Sequence, residues 1–491
     1  MANKKVIIIG AGIGGLATAA LLGKEGYDVT VIEKNKMIGG RAAIWKSKGF
    51  TFDMGPSWYL MPDVFENYFK KFGKKASDLM NLKRLDPNYR VFFGKGDFTD
   101  LSADMKKNYA LFDSLEAGSG KKIKEFLNKA KSEYELAMKY ILYKEFRSFK
   151  DFLSFDLMRE GRKINITKSL DKYVKSFTKS KRIQQILMYS IVFLGGSPKK
   201  TPSFYSILSH VDFNLGVFYP MGGIYMLIKA LQSLAEKNNV KIITNKSVTK
   251  IVVKNGMAVA VKVDGKEYPA DIVVSNADYA FTEMNLLESQ YQTYSKEYWK
   301  KRTLAPSAFL LYLGLDKKYP SFKHHTLSFA NDWEHHFDQI FTKPSYPDAP
   351  SLYICTPSKT DPSVAPKGCE NVFGLVPISP FIKDTQKMRD EYANFILTQV
   401  EELIGDNIRD HIVVKRTFSV SDFKNEYNAY EGTALGLAHT LSQTALFRPS
   451  MKSKKVENLY YVGQYTQPGI GMPMCLISAE LASKRIYEEQ K

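Results

Sequence analysis

The residues with the clearest chemical purpose lie between Val6 and Glu33. Gly10-Ala11-Gly12-Ile13-Gly14-Gly15 fits G-x-G-x-x-G. In that pattern the first glycine permits a tight turn, the second lets a pyrophosphate approach the backbone, and the third lets a helix pack on a strand. Free N–H groups at the helix start then face the phosphates. Glu33, 18 residues after Gly15, is placed to accept hydrogen bonds from ribose hydroxyls, and its charge repels a 2′-phosphate. A dinucleotide site is expected.

The flanking elements suit this purpose. Val6-Ile7-Ile8-Ile9 reads as a parallel strand covered on both faces, Leu16 to Lys24 as a helix stopped by Gly26, and Asp28 to Ile32 as a second strand. Lys4-Lys5 and the apolar run to Leu22, with Ala17-Thr18-Ala19 inside it, imitate a secretory signal. Four glycines within the run argue against a continuous apolar helix.

Downstream motifs narrow the choice of dinucleotide. Lys34, Gly39-Gly40-Arg41 and Phe52-Asp53-Met54-Gly55-Pro56 supply a second glycine turn and a guanidinium able to clamp a pyrophosphate. Near the C-terminus, Leu459-Tyr460-Tyr461-Val462 leads through Gly463-Gln464-Tyr465-Thr466-Gln467-Pro468-Gly469-Ile470-Gly471-Met472-Pro473 into a helix starting at about Cys475. Such a turn can direct N–H groups at a flavin edge.

On these residues the chain resembles the flavin-containing amine oxidase and phytoene desaturase superfamily. It is similar to the bacterial-type carotenoid desaturases in particular through Gly195-Gly196-Ser197-Pro198, Pro220-Met221-Gly222-Gly223, Ser275-Asn276-Ala277-Asp278 and Phe447-Arg448-Pro449. The resemblance implies FAD as cofactor, with contacts at Gly10, Gly12, Ile13, Gly14, Gly15, Glu33, Lys34, Gly40, Arg41, Gly55, Pro56, Ser57, Val248, Gly463, Gln464, Gly471 and Met472. It implies desaturation of a long isoprenoid hydrocarbon, with an electron acceptor of the oxygen or quinone class. One departure stands out. Many relatives carry Thr-His-Pro-Gly where this chain has Thr466-Gln467-Pro468-Gly469.

The same resemblance leaves other functions open: a carotenoid isomerase, a terminal carotenoid oxygenase, a polar-substrate amine oxidase, or a non-catalytic prenyl-lipid-binding escort protein. For a catalytic acid or base, Asp151 in Ser148-Phe149-Lys150-Asp151-Phe152-Leu153 is the candidate, on the expectation that burial raises its pKa. No metal site is expected. Cys355, Cys369 and Cys475 lack zinc-site spacing, and His324-His325 and His335-His336 lack a zincin pattern.

The fold class implied is mixed α/β: a Rossmann-type FAD-binding domain, a discontinuous substrate domain and an inserted helical region. The expected segments are 1–116 (FAD-binding), 117–200 (helical), 201–290 (return to the FAD-binding domain), 291–425 (substrate domain) and 426–491 (C-terminal part of the FAD-binding domain). Hairpin chemistry is expected at Lys254-Asn255-Gly256 and Val263-Asp264-Gly265.

Charge adds a partner. The net charge is +19, and 18 Lys and Arg against 8 Asp and Glu fall between Lys121 and Arg182. No nucleic-acid-binding signature accompanies this cluster, so an anionic lipid surface is expected instead of nucleic acid. Phe126, Leu127, Phe146, Phe149, Phe152, Leu153, Phe155 and Leu157 are expected to dip into the lipid. The expected setting is cytoplasmic and peripherally, monotopically membrane-associated.

Overall fold

The computed structural model describes residues 4–153, 168–193 and 196–490. The opening unit is a strand β1 (Lys5–Ile9), a helix α1 (Ile13–Lys24) and a strand β2 (Asp28–Ile32). Val6 and Ile8 pack into one core, with α1 and the helix Tyr225–Lys237, while Ile7 and Ile9 pack into another beneath the hairpins of 248–263. An all-apolar run is what a strand with two covered faces requires.

β1 lies in the middle of a five-stranded parallel sheet. Its neighbours are β2 on one side and Ile272–Ser275 on the other, with Lys241–Ile243 and Leu459–Tyr461 at the edges. Strand order therefore reverses at β1. In such sheets ligands bind at this switch point, beyond the carboxyl ends of the strands.

The Val248–Lys254 and Met257–Val263 strands form the first expected hairpin, and Lys266–Pro269 extends it. Asn255 and Gly256 take φ of 49° and 74°, and Asp264 and Gly265 take 49° and 77°. Positive φ at both central residues belongs to the tight turn whose twist matches its strands.

A second, seven-stranded sheet runs in the order Ile412–Phe418, Ser307–Leu315, Glu370–Ile378, Leu352–Cys355, His325–Ser328, Tyr89–Gly94 and Asp97–Leu101. Its last two strands lie within 1–116, so that segment contributes to both sheets. The short strand Phe218–Pro220 pairs with Leu82–Arg84 outside either sheet.

The Lys-rich helical region includes a long helix, Ser119–Ala137, that buries Ile123, Phe126, Leu127, Ala130 and Tyr134 at helical spacing. Phe126, Leu127 and Phe146 are 0, 1 and 3% exposed, so they belong to the protein core and do not face lipid as expected. Phe149, at 68%, is exposed. Phe155 and Leu157 lie outside the described residues, as do the side chains of Phe152 and Leu153 and the whole of Gly195. Among the described residues no helix is long and apolar enough to cross a membrane.

Candidate FAD-binding site

At the switch point an open cavity runs between the two sheets. Gly12 caps α1 in extended backbone and offers no side-chain cap, which leaves the first N–H groups of the helix for a ligand. Gly10 takes φ of 96° at the end of β1, a left-handed conformation suited to glycine.

The structure adds a residue to the glycine pattern. The Asn276 amide sits among the glycines: a Cβ on Gly14 would lie 2.6 Å from its Oδ1, and one on Gly12 3.0 Å from its Nδ2. A Cβ on Gly463 would lie 3.0 Å from the same Oδ1. Two loops distant in sequence thus close on one side chain. Gly15 does not line the cavity; its Cβ would fall 2.1 Å from the Gly10 carbonyl, so its absence lets α1 pack on the turn.

Glu33 is 5% exposed, and its Oε2 and Oε1 accept the N–H groups of Ala11 and Asn35, each at 2.8 Å. Burial pushes its carboxyl pKa up, opposed by those N–H groups and by Lys34. A carboxylate has about four acceptor positions, so acceptor capacity remains for ribose hydroxyls. Lys34 donates to the Asn425 carbonyl at 2.7 Å and to Asn428 Oδ1 at 2.9 Å, tying the cavity to the helix Val420–Tyr427.

Arg41 lies over the Tyr427 ring at 5.5 Å, and its Nη2 reaches the Thr433 carbonyl at 3.4 Å. Its Nε is buried without a partner, as is Nε2 of Gln464 on the same cavity. An unpaired buried guanidinium nitrogen is costly, and a pyrophosphate would satisfy it. The residues present therefore fit FAD.

Of the expected contacts, Gly10, Gly12, Ile13, Gly14, Glu33, Lys34, Gly40, Arg41, Gly55, Pro56, Val248, Gly463, Gln464, Gly471 and Met472 all line this cavity. Ser57 does not. Its Oγ pairs with the Tyr353 hydroxyl at 2.7 Å beside Asp53, Tyr219 and Cys355, away from the cavity.

Asp151 lies away from the cavity too and differs from its expected chemistry. Its Oδ2 accepts the N–H groups of Arg147 and Ser148 at 2.8 and 2.7 Å. Those bonds, Ser148 foremost, hold its carboxyl below the usual range, the reverse of the expected direction. The residue closes a turn, and burial is too slight to oppose this.

Two residues of the quoted motifs have roles that the sequence left unassigned. Buried Arg448 donates to the carbonyls of Gln464 at 2.6 Å, Tyr465 at 3.2 Å, Thr466 at 3.1 Å and Gln443 at 3.3 Å, fixing the loop that carries Gly463 and Gln464. Burial lowers its pKa to about 10. Asp278, on the cavity wall, accepts the Tyr465 hydroxyl at 2.6 Å and the N–H groups of Phe281 and Tyr430 at 3.1 and 3.2 Å. Burial raises its carboxyl, against those donors and Arg41.

Gln467, the departure in the C-terminal signature, is 4% exposed and grips one residue of the helical region from both sides. Its Oε1 accepts the Phe146 N–H and its Nε2 donates to the Phe146 carbonyl, each at 2.8 Å.

Comparison with known proteins agrees with this geometry. Residues 13–487 match the family described as flavin containing amine oxidoreductase. The chain is 44% identical over 490 residues to a carotenoid 3,4-desaturase of Haloarcula japonica, covering 100% of this chain and 99% of that one. It is 31% identical to a zeta-carotene-forming phytoene desaturase of Myxococcus xanthus, over 99% of this chain and 94% of the other. An oxidoreductase from Methanosarcina mazei shares the fold, with a TM-score of 0.64, 19% identity, and coverage of 98% of this chain and 100% of that one. The family match over residues 13–487 and the relatives aligned along nearly their whole length lead to one conclusion: the chain belongs to the flavin containing amine oxidoreductase family, among its bacterial-type carotenoid desaturases, and is an FAD-dependent oxidoreductase.

Proposed function

We propose that this protein desaturates a conjugated carotenoid; its Haloarcula relative is named a carotenoid 3,4-desaturase. The observation that carries the proposal is the cavity wall contributed by the second sheet and its flank, where Ala308, Leu310, Leu375, Phe423, Ala434 and Leu435 offer only hydrocarbon. A hydrocarbon substrate has no group for an ion pair, and a wall of this kind holds it by excluding water.

FAD would supply the acceptor for the hydride while a proton leaves the neighbouring carbon for solvent, with an oxidant of the oxygen or quinone class needed to take up the electrons. The chain's part is positional. The start of α1 and Arg41 would hold the pyrophosphate, Glu33 the ribose, and the loop fixed by Arg448 the flavin end. Asp278 is engaged by three donors and sets the geometry of that loop.

Purified holoprotein given a conjugated acyclic carotenoid in liposomes is expected to yield a product lacking one H₂, with red-shifted absorption. Unchanged mass would indicate an isomerase and added oxygen an oxygenase; either outcome refutes the proposal. Phytoene as sole substrate tests whether an earlier desaturation step is also served.

The membrane surface follows from the substrate. Phe149 and Phe447, 68 and 50% exposed, form an edge-on pair 6.1 Å apart, and Arg147 and Lys150 flank Phe149 in sequence. Exposed aromatic rings beside cations suit an anionic bilayer, which supports the reading of a peripherally bound protein. Co-flotation with anionic liposomes at low salt is expected, weakened in Phe149→Ser/Phe447→Ser. No co-flotation of the parent protein would refute peripheral binding.

A further inference from the structure

Strand register, and no sequence motif, gathers three metal-binding side chains behind the segment that carries Gly55 and Pro56. His325 and Cys355 are directly opposed on the antiparallel strands His325–Ser328 and Leu352–Cys355. Opposed residues have Cβ atoms about 4.5–5.5 Å apart on one face. The carbonyl of His324 accepts the Thr356 N–H at 2.8 Å, and its ring lies 4.6 Å from the His325 ring at 66°. One ligand atom from each of His324, His325 and Cys355 lies within 4.8 Å of the other two, and all three residues are buried.

Hydrogen bonds orient both imidazoles. His324 Nδ1 pairs with Thr360 Oγ1 at 2.7 Å, and His325 Nδ1 pairs with the Tyr353 hydroxyl at 2.8 Å. Nε2 of each ring is buried without a partner, in residues 4 and 0% exposed. A ring nitrogen held by a protein oxygen while the other is left free is the arrangement of a metal-bound histidine and its supporting group.

We propose that His324, His325 and Cys355 form a binding site for one zinc-class cation, through the two Nε2 atoms and the thiolate Sγ. Two neutral imidazoles and one thiolate are borderline-soft donors, which suit Zn²⁺ over Mg²⁺ or Ca²⁺. On binding, the Cys355 thiol proton passes to solvent, a Zn–S bond forms and nothing changes oxidation state. The remaining single positive charge is met by buried Asp53, which acts electrostatically on Cys355, and by Asp361, which acts on His324. Bonds of about 2.0–2.3 Å to a tetrahedral cation imply donor separations of about 3.3–3.7 Å, inside the 4.8 Å within which ligand atoms of the three side chains already lie.

The site is separate from the cofactor cavity and adjoins its support. Ser57 bonds the same Tyr353 hydroxyl that orients His325, and Met54, Gly55 and Pro56 between Asp53 and Ser57 line the cavity. The cation would stiffen that segment without touching the substrate.

The FAD-loaded protein, stripped with a chelator and titrated with Zn²⁺ against a chromophoric competitor, is expected to take up one equivalent per chain. Cys355→Ser should weaken binding 100-fold or more, and Thr360→Val about 10–100-fold. Zinc-edge X-ray absorption should show one sulfur at about 2.3 Å and nitrogen at about 2.0–2.1 Å. A parent protein that takes up no zinc, a shell without sulfur, or equal affinity in Cys355→Ser overturns the proposal. If Cys355→Ser does not fold, the sulfur shell of the parent protein decides alone. These readouts are independent of desaturation.

Discussion

Replacing Gln467 by alanine tests how the helical region is fastened to the flavin loop. The side chain meets both the N–H and the carbonyl of Phe146 at 2.8 Å in a buried setting. Alanine removes a hydrogen-bond partner from each of these two buried backbone groups, at about 1–3 kcal/mol each, or about 2–6 kcal/mol if the segment stays docked. Undocking admits water and limits that cost. It is resisted by burial of the Phe146 ring, worth about 1.5–3 kcal/mol, and by the ion pair of Arg485 with the neighbouring Glu145 at 2.5 Å.

The expected local loss is therefore about 3 kcal/mol, which at 1.4 kcal/mol per tenfold is on the order of 100-fold in opening equilibrium. Hydrogen–deuterium exchange of the holoprotein, followed on peptides spanning 138–148 and 463–471, reads this directly. Gln467→Glu is the companion. It keeps the acceptor but sets a carboxylate against the Phe146 carbonyl, so its exchange should be fast at alkaline pH and slow again once the carboxyl is protonated and can donate. Unchanged exchange in Gln467→Ala would refute the fastening argument.

Other perturbations separate the cofactor contacts. Arg41→Met is expected to weaken FAD binding by about 10–100-fold, the worth of hydrogen bonds to a charged group, without lowering apoprotein stability, as measured by flavin fluorescence titration and thermal melting. Burial raises the Glu33 pKa in the apoprotein, so its stabilising contribution is full below the unfolded pKa and is lost as pH rises through the folded one. Apo Glu33→Gln should therefore gain on apo wild type between about pH 4.5 and pH 8 in calorimetry, given an unfolded pKa of about 4.3; an equal gap at both pH values counts against the assignment. Gly14→Ala should cost about 1–3 kcal/mol through overlap with Asn276 Oδ1, and Asn276→Ala should relieve part of that loss in a double-mutant cycle measured by chemical denaturation.

The local parts of this design can be read from the chain because neighbouring residues determine them. β1, the glycine turn, α1, β2 and Glu33 fall where the apolar run and the glycines place them, and both hairpin turns adopt the backbone their Asn-Gly and Asp-Gly pairs demand. What is not legible depends on partners beyond the reach of local spacing. The space beside Gly12 and Gly14 belongs to Asn276, and the carbonyls that Arg448 gathers have no local signature. Strands Tyr89–Gly94 and Asp97–Leu101 join the second sheet through a parallel pairing with His325–Ser328 that no nearby spacing announces. Asp151 failed expectation for a related reason: the sign of a carboxyl's pKa shift depends on whether N–H groups or apolar walls surround it, and its own turn supplies N–H groups. The aromatic residues around Phe126 read equally as core or as membrane anchors until packing decides.

The cavity between the two sheets is walled by residues from both, with Gly10 and Glu33 on one and Leu310 and Leu375 on the other. A ligand seated there favours only the docked arrangement, and at a concentration 100 times its dissociation constant it adds about 2.7 kcal/mol to that arrangement. In a cell short of flavin, newly made chains would open more often to proteases and be cleared faster. Vitamin supply would then set how much of the enzyme accumulates as well as how much is active, with pigment yield falling more steeply than cofactor occupancy alone.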